Sequence, residues 1–291
     1  MVQIDRMEID DAGSDPKRLA KAILDQLPED TVLVPVREIA KAIDIYEIRE
    51  EQLSGLEGAL IVPKEKSEGA ILINKGRHES RKRYTIAHEL GHYVHPFHRA
   101  NSPDGFRCKK NDLTVTKAKP NDLHSRMEQQ ANEFAAELLM PARAVASFIR
   151  DSGDADLSHI LEMARRHDVS REAAARRYIP RIGDPAAVIF SKGGVVRYAR
   201  CNEFFPKLSV CRGDLVPQHS VSALSTADVG EVTGCVEVGA HMWLQSSAGV
   251  TLFEQTLAQQ NSFRMTLLTA VIEEIEDEWE TVPSQSFEFT S

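Results

Sequence analysis

The chain has 291 residues, enough for one large domain or two ordinary ones. Hydrophobic residues make up 42%, which supports a packed core and argues against global disorder. A formal net charge of −9 argues against broad contact with a nucleic-acid backbone, though it leaves room for a local basic patch.

"SDPKRLAKAILDQL" begins with Ser14 or Asp15 as N-cap and Pro16 at the first helical position. Leu19, Ile23, Leu24 and Leu27 recur at helical spacing, which predicts a helix over 16–27. "VPVREIAKAIDI" repeats the theme over 35–43. "GLEGALIVP" and "EGAILINK" are apolar runs bounded by Gly, Pro and charge, and predict antiparallel strands at 57–62 and 69–74 with a turn at 63–68. "SRKRYTIAHELGHYVH" has Ser80 as N-cap and no proline before Pro96, which predicts a helix over 81–95. Residues 99–122 are polar and punctuated by Pro and Gly, so mostly loop. "LHSRMEQQANEFAAELLMP" is dominated by strong helix formers and stops at Pro141, and further helices run to about 178.

The composition then changes. "VIFSKGGVVRYA" reads as a hairpin, and a late amphipathic helix is expected over 262–279. The expected fold class is α+β. A mostly helical domain with a small antiparallel sheet is expected over 1–182, and a β-rich α+β domain over 183–291. No run of about twenty apolar residues is present, so no membrane span is expected. The first twenty residues lack the apolar core of a secretory signal. Cys108, Cys201, Cys211 and Cys235 show no C-x-x-C spacing, so free thiols in a reducing cytoplasm are expected. Adding His219 and His241 to the last three cysteines matches no metal-site spacing.

The chemistry concentrates in "HELGH". His88 and His92 are one turn apart on one helix face, where two imidazoles can ligate a single zinc ion. Glu89 lies about 100° round the helix, off the ligand line but near the metal, a position suited to a general base. A catalytic zinc takes three protein ligands, and the third is open between two residues. His98 completes the spacing H-E-x-x-H-x-x-x-x-x-H, but His95 stands where that pattern wants a turn-making glycine. Glu128 sits four residues before Asn132 on the next long helix, where it could ligate while Asn132 supports a ligating histidine. His95, roughly 10 Å along the axis from His88, suits an outer supporting role. His124, Tyr84 and Arg83 are the candidate oxyanion donors, with no spacing to choose among them.

"RYTIAHELGHYVH" and "EQQANEFAAELLMP", in that order, resemble the ImmA/IrrE family of metallo-endopeptidases over about 18–178. The resemblance implies a zincin-like peptidase domain over 1–182, with zinc held by His88, His92 and Glu128 and Glu89 as the base, and so favours Glu128 over His98. It also implies cleavage of a helix-turn-helix repressor of the Xre type, switching on stress-response or mobile-element genes.

"LEMARRHDVSREAAARRYI", within about 155–180, resembles a helix-turn-helix and carries Arg165, Arg166, Arg171, Arg176 and Arg177. It reads as a packing or protein-docking element ahead of a DNA-binding one. The competing reading of the whole chain is a non-proteolytic regulator that binds DNA or protein and keeps zinc for structure. By analogy with IrrE-type relatives, the C-terminal region is expected to be sensory or to position the substrate.

Overall fold

The computed structural model describes residues 2–103, 105–115 and 117–273. The chain divides into two compact units, residues 1–184 with 200–203, and residues 185–199 with the chain from 204 onward.

The first unit begins with three short helices, α1 (Arg6–Asp11), α2 (Pro16–Leu24) and α3 (Val36–Ala42). Asp15 caps α2 by accepting from the backbone N–H groups of Lys17 and Arg18, and Pro16 follows at the first helical position. The α2 residues Leu19, Ala20, Ile23 and Leu24 are buried, and the helix packs on the later helix that carries Glu128.

Three strands follow, β1 (Ile45–Glu51), β2 (Gly58–Ile61) and β3 (Gly69–Asn74), then the helix α4 (Glu79–Val94). The segment after α4 holds a fourth strand, β4 (Gly105–Cys108), where the sequence predicts mostly loop. The sheet order is β1-β3-β2-β4. β2 runs antiparallel to both β3 and β4, but β1 runs parallel to β3, so the sheet is mixed. β1 is an edge strand, "IYEIREE", with one fully buried residue, and its charged faces conceal it from a search for apolar alternation.

The long helix α5 (Leu123–Leu139) packs against α4, and α6 (Ala142–Ser152), α7 (Leu157–His167) and α8 (Arg171–Tyr178) complete the unit. Asp122 caps α5 through the backbone N–H of Ser125. Gly91 lies at the α4–α5 contact. A β-carbon there would stand 3.1 Å from Ala131 Cα and 3.1 Å from Phe134 Cδ1. The absent side chain is therefore what lets the two helices approach.

The second unit contains β5 (Ala186–Lys192), β6 (Val195–Cys201, its last two residues counted with the first unit), the single turn α9 (Val221–Leu224), β7 (Val236–Val238), β8 (Val250–Ala258) and β9 (Phe263–Ile272). Its sheet order is β6-β5-β9-β8-β7. Gly193 and Gly194, both at positive φ, make the tight turn of the β5–β6 hairpin. Trp243, Ile189, Leu252 and Leu268 belong to its core.

The expected helix over 262–279 is not formed where it can be seen. Residues 263–272 are the strand β9, and 274–279 lie outside the described residues. β9 is paired on both sides, by β5 and β8, and Met265, Thr266, Leu267 and Leu268 are buried in succession. A continuous apolar run of this kind carries no period that separates strand from helix.

Candidate metal centre

α4 carries the motif into the interior. His78 caps it one residue before its first turn, so the expected cap at Ser80 lies two residues inside the structural start. The basic residues ahead of the motif hold the helix in place. Arg81 reaches the buried Glu57, Lys82 pairs with Glu50 and Glu79, and Arg83 pairs with Asp168 and donates to the Val34 carbonyl. At the other end, Lys66 Nζ donates to the carbonyls of His92 and His95 at 2.6 and 2.9 Å, satisfying groups a helix C-terminus leaves open.

His88, His92 and Glu128 converge, with exposures of 0%, 1% and 2%. His88 Nε2 and His92 Nε2 are 3.1 Å apart, and Glu128 oxygens lie 3.1 Å from the first and 3.5 Å from the second. The hydrogens on the rings follow from their other partners. Asn132 Nδ2 donates to the carbonyls of Asp112 and Val115, so its Oδ1 is fixed as an acceptor. Tyr84 donates its hydroxyl to that oxygen at 2.9 Å, and His88 Nδ1 lies 2.9 Å from it. His88 Nδ1 therefore carries the ring hydrogen, and Nε2 presents a lone pair to the cluster. A buried nitrogen lone pair beside a second imidazole and a carboxylate is the donor set of a divalent zinc-type cation, and these residues fit one.

Burial alone would raise the Glu128 carboxyl, but the His88 and His92 rings beside it hold it well below the usual carboxylate range. Burial lowers His92 to about 4, against the pull of Glu128, which keeps its ring neutral, as a ligand must be. Glu89 is fully buried, and neither carboxylate oxygen has a hydrogen-bond partner among the described residues. Burial, then the negative charges of Glu128 and Asp112, push its carboxyl well above the ordinary value.

The remaining sequence candidates separate. His98 stands behind His92, not in the cluster. Its Nδ1 is 3.0 Å from His92 Nδ1, the nitrogen that faces away from His88 and Glu128. His95 ends α4 and stacks on the His98 ring at 3.8 Å, touching no cluster ring directly. Arg83 and Tyr84 are committed to Asp168, Val34 and Asn132. His124 is the oxyanion candidate at the cluster, half-exposed with Nδ1 3.5 Å from Glu128.

Four residues at the site escape sequence reasoning. Phe106 stacks on the His92 ring at 4.6 Å, and Cys108, Asp112 and Gln130 lie around the cluster. Phe106 and Cys108 alternate on the four-residue β4, too short for periodicity to reveal. Burial, with nearby carboxylates, raises the Cys108 thiol far above its usual range.

In the helix-turn-helix-like segment, Asp168 ends α7 in the left-handed conformation and Ser170 caps α8. Arg165 and Arg166 pair with Glu162, Arg176 with Glu172, and buried Arg177 with Glu137. Most of the positive charge of that stretch is answered within the protein. Among the described residues, no helix is long and apolar enough to cross a membrane.

Comparison with known proteins adds the lineage. No curated protein matches the sequence significantly. The fold is similar to that of a Mycobacterium tuberculosis transcriptional regulator, with a TM-score of 0.53 and 13% identity over 92% of this chain and 80% of that one. Residues 48–178, which hold α4, β4 and α5, match the Peptidase_M78 family model, described as the IrrE N-terminal-like domain. That stretch of the chain is thus an IrrE N-terminal-like domain, similar to those of the Peptidase_M78 metallopeptidases.

Proposed function

We propose that the chain is a zinc-dependent endopeptidase that cleaves a helix-turn-helix repressor and thereby switches on stress-response or mobile-element genes. One observation carries the reading. Glu89 is buried beside His88, His92 and Glu128 with both oxygens unpartnered. A purely structural metal site has no use for such a carboxylate, whose burial is unfavourable.

His88 Nε2, His92 Nε2 and a Glu128 oxygen would hold the ion, with Asn132 fixing the His88 ring. Bound zinc supplies acidity to a coordinated water and polarises the scissile carbonyl. The Glu89 carboxylate takes the proton of the attacking water on one oxygen and delivers it to the leaving amine nitrogen. Its raised proton affinity suits the first half of that exchange. His124, half-exposed beside Glu128, is the side chain placed to donate to the developing oxyanion. The repressor substrate rests on the family resemblance, and a cytoplasmic location on the four scattered cysteines, which suit a reducing compartment.

The second unit is proposed to sense a signal or position the substrate. An open pocket of about 660 Å³ in it, lined by residues including His219, Thr226, Thr233 and Met242, supports that role.

The purified protein is expected to hold one zinc. Glu89→Gln should keep the metal and lower cleavage of a repressor encoded beside this gene by about 10²–10⁴-fold. Cleavage by Glu89→Gln at the wild-type rate would sink the peptidase reading.

A further inference from the structure

We propose that His98 and Gln130 form a positioning relay that fixes the hydrogen and orientation of the His92 ring for metal binding. The proposal rests on the metallopeptidase reading, and it assigns to His98 a part other than ligation.

His92 Nδ1 and His98 Nδ1 are 3.0 Å apart in a buried setting. Two ring nitrogens that close share one hydrogen unless a cation stands between them, because two lone pairs or two hydrogens would repel. The far nitrogen of His98, Nε2, lies 3.1 Å from Gln130 Oε1, an acceptor, and therefore carries the hydrogen. A neutral imidazole has only one, so His98 Nδ1 accepts and His92 Nδ1 donates. His92 Nε2 is then a bare lone pair aimed at His88 Nε2 and Glu128.

The two ligand rings are thus oriented by different means. Asn132 does for His88 directly what Gln130 does for His92 through one intervening imidazole. His98 is 1% exposed, and its stacking on His95 fixes the ring plane. Gln130 lies on α5, two residues beyond Glu128, so one helix provides both a ligand and the end of the relay. Reversing the Gln130 amide would reverse each hydrogen in turn and place one on His92 Nε2, where it blocks coordination. The Gln130 oxygen therefore selects the metal-binding tautomer.

Supporting partners of ligating histidines typically contribute about 10–100-fold in metal affinity. Zinc affinity of the full chain, measured by competition with a chromophoric chelator, should fall by about that factor in His98→Leu. It should recover largely in His98→Asn, whose side-chain oxygen takes the accepting position. Gln130→Leu should weaken zinc, and Gln130→Glu, acceptor only, should hold it at least as tightly as wild type. With ¹⁵N-labelled histidine, the zinc-loaded protein should show His92 Nδ1–H coupled through the hydrogen bond to His98 Nδ1. Wild-type affinity in both leucine variants overturns the relay. So does a cobalt-substituted His98→Leu whose visible spectrum has lost a ligand, since His98 would then bind metal itself. If His98→Leu does not fold, Gln130→Leu, at a partly exposed position, decides alone. A wild-type protein that binds no zinc removes the metallopeptidase reading and the relay with it, an outcome distinct from normal zinc binding that ignores His98 and Gln130.

Discussion

Asn132 serves two neighbouring segments with one carboxamide. Its Nδ2 ties down the carbonyls of Asp112 and Val115, and its Oδ1 receives the Tyr84 hydroxyl and the His88 ring. Replacing it with leucine leaves two carbonyls and two donors without their partner. Asn132→Leu is expected to weaken zinc by about 10–100-fold while conserving the stoichiometry, as measured by chelator competition. Asn132 and Glu128 were legible in the sequence because i and i+4 share a helix face. Gln130 was not, because its partner His98 lies beyond the end of α4, where helical periodicity no longer places a side chain. His98 itself was visible in spacing alone, and spacing says nothing of which ring nitrogen points where.

The contact between α4 and α5 sets the distance from the two histidines to Glu128. Gly91 sits at that contact against Ala131 and Phe134. Gly91→Ala inserts a methyl where neighbours stand at 3.1 Å. Overpacking of this kind typically costs about 1–3 kcal/mol, offset in part by the better helix propensity of alanine. Thermal unfolding should show a net loss, and metal analysis should show weakened zinc retention, because α5 carries Glu128, the proposed third ligand. Helices with caps, proline boundaries and apolar stripes were readable along the chain, as α2, α4 and α5 illustrate. β1 and β9 were not. The first is a charged edge with no apolar face, and the second is a buried centre with no polar one. In both, the neighbouring strands decide the conformation, and they are distant in sequence.

At the scale of the whole molecule, the two units keep buried acids of different kinds. The first holds carboxylates around a cation site, while the second holds Glu254 inside its core. Glu254 is fully buried and accepts from Trp243 Nε1 and from the backbone N–H groups of Val221 and Ser222. Burial raises its carboxyl above the ordinary value, against those donors, which lower it. Between the unfolded and the folded values, the folded state therefore keeps a proton that the unfolded chain has released. Its contribution to stability is present at acid pH and lost as pH rises through the folded value. Melting curves from neutral to mildly acid pH should show wild type gaining stability relative to Glu254→Gln, which has no such proton to bind. Equal slopes for the two proteins would dismiss Glu254 as the source. The return of residues 200–203 to the first unit left no mark in composition, since four residues are too few to shift it.

The near-complete burial of His88, His92 and Glu128 has a kinetic side. Substrate must reach the open side of an ion held there, but the three ligand side chains let go of it only as α4 and α5 part locally. Stripping by a chelator should speed up with chelator concentration and then level off at the rate of that opening. A rate that keeps climbing in proportion to chelator would mean the ion is reached directly. The lifetime of the loaded site is thereby a measure of how often the interior breathes.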